Sequence, residues 1–206
     1  MTSSCVSCAI AAEPMDAKRR QLLIATSIAG AVAGAGIAIP LLSSMAPSER
    51  ARAAGAPVEV DISRLALGNI MTVEWRGKPV WIVHRTPEML AALKAIEPRL
   101  VDPQSTRQQQ PAYATNEHRS IKPEIMVAIG ICTHLGCSPT DKFKTGSEQG
   151  MAADWPGGFF CPCHGSQFDL AGRVFKNMPA PTNLEIPPHK YLAEARVLIG
   201  EDPSSG

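Results

Sequence analysis

The chain has 206 residues, 45% of them hydrophobic, with 20 basic and 19 acidic side chains and a formal net charge of +1. That length allows one ordinary domain plus an appendage, and the composition excludes both a disordered chain and a polytopic membrane protein. With charges of both signs spread along the chain there is no basic footprint for nucleic acid. Eighteen prolines and 16 glycines imply many turns and short strands, hence a mainly β fold.

Residues 1–20 read as a cytoplasmic N-terminus that holds Cys5 and Cys8 and ends in Lys18, Arg19 and Arg20. A lone C-x-x-C on the reducing side of a membrane implies neither a bridge nor a metal. From Leu22 to Leu42 the chain runs 21 residues without a charge. As a helix that is about 31 Å, close to the ~30 Å hydrocarbon thickness, so 21–42 is expected to be a transmembrane anchor. Gly30 and Gly34 form a G-x-x-x-G pair that lets another helix approach. The basic cluster precedes the anchor and the residues after it are uncharged up to Ser48. By the positive-inside rule the amino terminus faces the cytoplasm of the inner membrane and the rest lies on the periplasmic side. Arg19-Arg20-Gln21-Leu22-Leu23 also resembles a twin-arginine export signal. No A-x-A site directly follows the apolar run, so a retained anchor is expected.

Residues 43–57 are small, polar and broken by Pro and Gly. They read as a flexible hinge that reaches roughly 45 Å when extended. Val58 to Ile62 alternates like a half-buried strand. Asn69 to Trp75 and Pro79 to Val83 are apolar runs joined by Arg76-Gly77-Lys78, a hairpin turn. Pro87 to Ile96 has the Pro start, acidic first turn and apolar spacing of a helix. Asp102 to Lys122 is polar and is expected to be an exposed loop. Glu124 to Ile131 reads as a strand leading into Cys132, Tyr191 to Ile199 as a closing strand, and 201–206 as a frayed tail. His84, His118 and His189 are expected in surface or packing roles, and Trp75, Trp81 and Trp155 in packing.

Two short segments carry the chemistry: Cys132-Thr133-His134-Leu135-Gly136-Cys137 and Cys161-Pro162-Cys163-His164-Gly165-Ser166. Each supplies a Cys–His pair and one further thiol. Soft thiolates with imidazoles suit either zinc or an iron–sulfur centre.

C-T-H-L-G-C followed by C-P-C-H-G-S resembles the double-loop motif of the Rieske iron–sulfur subunits of the cytochrome bc complex (ubiquinol–cytochrome c reductase). The resemblance extends to the anchor, the Ala-rich hinge, the hairpin around Gly77, the helical insertion and Met178-Pro179-Ala180-Pro181, most of residues 15–200. It implies a Rieske-type antiparallel β head at 58–200 with a small cluster-binding subdomain at about 131–181 and one helix-loop insertion. It implies one [2Fe–2S] cluster, with Cys132 and Cys161 on the inner iron, His134 and His164 on the outer iron, and a Cys137–Cys163 disulfide. Gly136 and Gly165 would make tight turns, and Pro179 and Pro181 would stiffen a third loop. Ser166 would donate its hydroxyl to a cluster sulfur, Leu135 would be an apolar lid at the tip, and His164 rather than His134 would meet the quinol. Phe168 is a departure, since many relatives carry a Tyr there; losing that hydroxyl implies a lower reduction potential.

Neutral imidazoles in place of two thiolates make a cluster less negative and more oxidising, and reduction raises the ring's affinity for a proton. The implied function is one-electron transfer, with a coupled proton, from quinol at a cytochrome b subunit to a c-type cytochrome subunit by movement of the head. The chain would act within a dimeric complex, not alone. The alternative is a small Rieske subunit of another exported oxidoreductase, of the arsenite oxidase type; the insertion from Pro87 to Lys122 and the retained anchor point away from it. A soluble dioxygenase ferredoxin would lack the extra cysteine pair, and a zinc adaptor would be exposed by metal analysis and EPR.

Overall fold

The computed structural model describes residues 16–48 and 55–203. Cys5, Cys8, part of the hinge and the end of the tail lie outside the described residues. The chain divides into two compact units, Met1–Ser48 and Glu49–Gly206.

The first unit is a helix, α1, Ala17–Ser44. Asp16 caps it, its carboxylate accepting from the Lys18 N–H at 3.1 Å. Its 28 residues span about 42 Å, longer than the charge-free run because the basic turn is also helical. Its apolar window has a mean hydropathy of 2.1, enough by length and composition to cross a membrane, and none of its residues is buried within the protein. Pro40 lies inside the last turn and a half, where few hydrogen bonds remain to be lost.

The second unit is built from three small antiparallel sheets. β1 (Val58–Asp61), β9 (Arg196–Ile199) and β8 (His189–Ala193) form one sheet in that spatial order. The middle sheet is β2 (Ile70–Trp75), β3 (Lys78–His84) and β4 (Ile125–Ile129). Trp75 pairs with Lys78 across the two-residue turn, where Arg76 and Gly77 both have positive φ, as a tight right-twisted hairpin demands. The third sheet is β5 (Thr140–Lys142), β6 (Gly158–Phe160) and β7 (Gln167–Phe168). Strands of two or three residues carry no readable periodicity, so the sequence alone does not mark these three.

In the middle sheet, β3 and β4 are buried on both faces, while β2 exposes Thr72 and Glu74. Val80, Ile82, Ile125, Val127 and Ile129 pack with Val60, Val197 and Ile199 of the first sheet. The alternate residues Trp81, Val83, Met126 and Ala128 pack with Cys132, Phe159, Cys161 and Phe168. Side chains alternate across a strand, so β3 and β4 each feed two cores and read as unbroken apolar runs. The second core is the floor of the double-loop segment.

Between β3 and β4 comes the insertion. Helix α2, Pro87–Ala95, starts at Thr86, whose hydroxyl accepts from the Met89 N–H at 3.3 Å. The stretch from Asp102 to Lys122 is not the exposed loop its polarity suggests: Asp102, Ser105, Ala114, Arg119 and Ser120 are buried. The Arg119 guanidinium donates to the carbonyls of Ala171, Gly172 and Leu184 at 3.1, 3.3 and 2.7 Å. Arg85, also buried, donates to His118 O, Leu170 O and Ser120 Oγ. Burial pushes both guanidiniums down to about 10, with Asp169 as the main opposing charge. Such burial is tolerable only where hydrogen bonds meet the charge; here the carbonyls of residues 170–172 and 184 do so from far along the chain, with His118 and Ser120 nearer by.

Of the remaining histidines, His189 is buried with its Nδ1 2.9 Å from Pro187 O, and His84 Nδ1 lies 2.7 Å from Leu65 O. Burial lowers the His189 pKa. Both side chains serve packing.

Candidate metal centre

β4 runs out at Ile129 and the chain turns into the first loop; β6 ends at Phe160 and enters the second. The two loops are closed by the same pair of hydrogen bonds. In the first, the Cys132 N–H donates to Cys137 O at 2.7 Å and the Gly136 N–H to Cys132 O at 3.0 Å. In the second, Cys161 N–H donates to Ser166 O at 2.8 Å and Gly165 N–H to Cys161 O at 2.9 Å. Gly136 and Gly165 occupy the same place in this frame, with φ of 83° and 77°, which only glycine adopts without strain.

In this frame Cys132 corresponds to Cys161, His134 to Cys163, Leu135 to His164, and Cys137 to Ser166. The histidines therefore sit one position apart on otherwise matching loops. Cys137 and Cys163 are joined in a disulfide, tying one loop to the other. Cys132 and Cys161 are both free and buried. The His134 and His164 rings meet edge to face with centroids 4.7 Å apart. The structure thus brings all the loop residues named from sequence into one place, with the thiols inside and the imidazoles outward. Leu135 is 71% exposed beside them.

The donor set fits a cluster. His134 Nδ1 is buried and has no hydrogen-bond partner, an arrangement that costs free energy unless something else takes the lone pair. Burial pushes the Cys132 thiol up, while hydrogen bonds from the His134 backbone N–H and the Ser166 hydroxyl pull it back. A buried thiolate in this place needs a cation to offset its charge. The sulfurs of Cys137, Cys161 and Cys163 also lie within 4.8 Å of one another. That trio is no metal site, because the two bridged sulfurs have no thiolate to offer.

A third segment closes the site. The Ser166 hydroxyl accepts from the Ala180 N–H at 3.0 Å, and Ser166 is fully buried. The Thr133 hydroxyl donates to Thr182 O at 2.7 Å. Met178 to Thr182 is thereby held to both loops. Sequence reasoning singled out its prolines but missed Thr133, whose role shows only once residue 182 lies beside it.

Behind the second loop, Asp169 and Arg173 form a fully buried ion pair at 2.7 Å. Asp169 Oδ1 also accepts from the N–H groups of Ala171 and Arg173. Arg173 further donates to Pro103 O and Leu93 O, fixing the insertion to the turn that follows β7.

A family model described as the Rieske [2Fe-2S] domain matches residues 103–188. A second, described as "Ubiquitinol-cytochrome C reductase Fe-S subunit TAT signal", matches residues 11–48. The chain is 64% identical over 189 residues to the ubiquinol-cytochrome c reductase iron-sulfur subunit of Allochromatium vinosum, covering 91% of this chain and 90% of that one. It is 41% identical over 184 residues to the subunit of the same name from Bradyrhizobium diazoefficiens, covering 89% and 94%. Among solved structures, a chain of a hyperthermophilic respiratory complex III matches with 26% identity and a TM-score of 0.45, over 84% of this chain and 97% of that one.

Proposed function

Because this chain belongs to the family of ubiquinol–cytochrome c reductase iron–sulfur subunits, electron-transfer components that carry a Rieske [2Fe–2S] centre, we infer that Cys132, His134, Cys161 and His164 hold that centre. The observation that carries the assignment is the buried, partnerless Nδ1 of His134 beside two free buried thiols and an edge-on second imidazole. When bound, such a cluster supplies a one-electron acceptor; Rieske centres as a class span about −150 to +300 mV, against about −400 mV for plant-type all-thiolate clusters.

The chain's own residues do the rest. His164, exposed on the second loop, receives the hydroxyl of a bound quinol and takes its proton at Nε2; half-buried His134 is the weaker candidate. Leu135 presents an apolar tip to the partner's quinol pocket. The Ser166 hydroxyl holds Ala180 by accepting its N–H and donates toward the Cys132 sulfur, which stabilises added negative charge there. The fully buried Phe168 offers no hydroxyl in the same core, in line with a lower potential than Tyr-bearing relatives have.

An apolar N-terminal helix and a twin-arginine signal make this a membrane-anchored, exported subunit. The basic N-terminus is cytoplasmic and the head periplasmic, at the inner membrane. The partners are a cytochrome b subunit that holds quinol and a c-type cytochrome, in a dimeric complex. The connection between the end of α1 at Ser44 and the start of β1 at Val58 serves the movement of the head between them.

The test is a redox titration of the full chain in membranes, followed by EPR. The assignment predicts a Rieske-type signal that His164→Ala and His134→Ala each abolish. Zinc in the purified chain, or a signal untouched by His164→Ala, would overturn it.

A further inference from the structure

The root of each loop rests against one aromatic ring. Gly130 stands two residues before Cys132, and Phe159 two residues before Cys161. Trp81, in the middle of β3 and 5% exposed, stacks its ring on Phe159 with centroids 4.7 Å apart and planes 13° from parallel. A Cβ at Gly130 would collide with Cε2, Nε1 and Cζ2 of the same indole. Gly130 does not have positive φ, so its backbone would suit any residue; only the space excludes a side chain.

Neither root has room to retreat. The Gly130 N–H donates to Pro79 O at 2.8 Å and its carbonyl accepts from Ser138 Oγ at 3.0 Å. Phe159 is fully buried, with Phe143 edge-on at 5.5 Å. Trp81 itself is fixed in register against Ala128 of β4.

We propose that Trp81 is a positioning residue that sets the separation of the two ligand loops at their roots, as the Cys137–Cys163 bridge does further out. The proposal rests on the ligand assignment above. The ring's flat face meets Phe159 and its pyrrole–benzo junction meets the Gly130 backbone, so its size and shape determine how far apart Cys132 and Cys161 begin. A change there alters the geometry presented by the two thiols and, through the short loops, the two imidazoles.

The test uses the full chain assembled in its membrane complex, read by iron per chain, EPR g values and midpoint potential, with thermal unfolding alongside. Trp81→Phe keeps a flat face on Phe159 and is expected to retain the parent g values. Trp81→Leu is expected to broaden and shift them and to move the potential, and Phe159→Leu, which loosens the other contact, to do likewise. Gly130→Ala overfills the contact and is expected to lower cluster content about tenfold. Combining Gly130→Ala with Trp81→Leu is expected to restore most of it. The proposal is overturned if Trp81→Leu and Phe159→Leu lower thermal stability yet keep g values and potential, or if the double variant is no better than Gly130→Ala. Cys161→Ser reads the ligand assignment separately: a signal that survives it overturns that assignment and this proposal together.

Discussion

The first and second loops share one backbone frame but are held in place by different means. The first leaves β4 with its root pinned by Ser138 and its flank tied to Thr182 through the Thr133 hydroxyl. The second is followed at once by a fully buried ion pair, Asp169–Arg173, whose surrounding turn is gripped by Arg85 and Arg119. The first carries its histidine half-buried and an exposed Leu135 next to it; the second carries its histidine exposed. Anchoring by buried charge is strong but costs desolvation, so it sits behind the loop that presents the more exposed imidazole. The single-hydroxyl tie to the third segment is common to both loops, through Thr133 in the first and Ser166 in the second, so the buried ion pair is what sets the second loop apart. One frame can therefore present two Cys–His pairs with unequal access to solvent.

That contrast can be broken stepwise. Asp169→Asn removes the close counter-charge of the buried Arg173 guanidinium and is expected to cost about 3–5 kcal/mol of stability, with the loss centred on the second loop. Denaturant unfolding measures the total, and hydrogen exchange at residues 161–173 its location; a loss spread evenly over both loops would contradict the division of labour. Next in size is the bridge that the loops share. Cys163→Ser frees a link spanning 26 residues and is expected to cost about 3–4 kcal/mol by loop-closure entropy, seen as a lower unfolding midpoint that reductant does not lower further.

Ser166→Ala leaves the buried Ala180 N–H without an acceptor, at about 1–3 kcal/mol. It is also expected to lower the midpoint potential, because a donor toward the Cys132 sulfur is gone; redox titration separates this from the stability change. The mildest change is Thr133→Val, which removes the bond to Thr182 for about 1 kcal/mol. It is expected to raise exchange at residues 178–182 while leaving the second loop's backbone protected.

The cluster loops were legible in the sequence because their residue types are rare, clustered and chemically committed: cysteines, histidines and glycines at fixed short spacings. The hairpin at Arg76-Gly77 and helix α2 were legible for a similar reason, since turn residues and a Pro start with an acidic first turn are local signals. The buried arginines were not. Arg119 lies in a stretch whose polarity reads as solvated, and its acceptors at residues 171, 172 and 184 are more than 50 positions away. The strands β5 to β7 were too short for a pattern. Gly130 falls in the segment read as a strand, and no local pattern marks the Trp81 ring that leaves it no room for a side chain.

By itself the sequence determined which residue types are available to bind metal, that an apolar helix anchors the chain, and that β-strands carry the double-loop segment, because side-chain type, apolar length and turn residues are properties of short segments. Only the tertiary structure decided which polar groups are buried, what spaces the two loops and which imidazole is exposed. Those depend on surfaces brought together across dozens of residues, where packing and carbonyl positions, absent from any local pattern, set the energy.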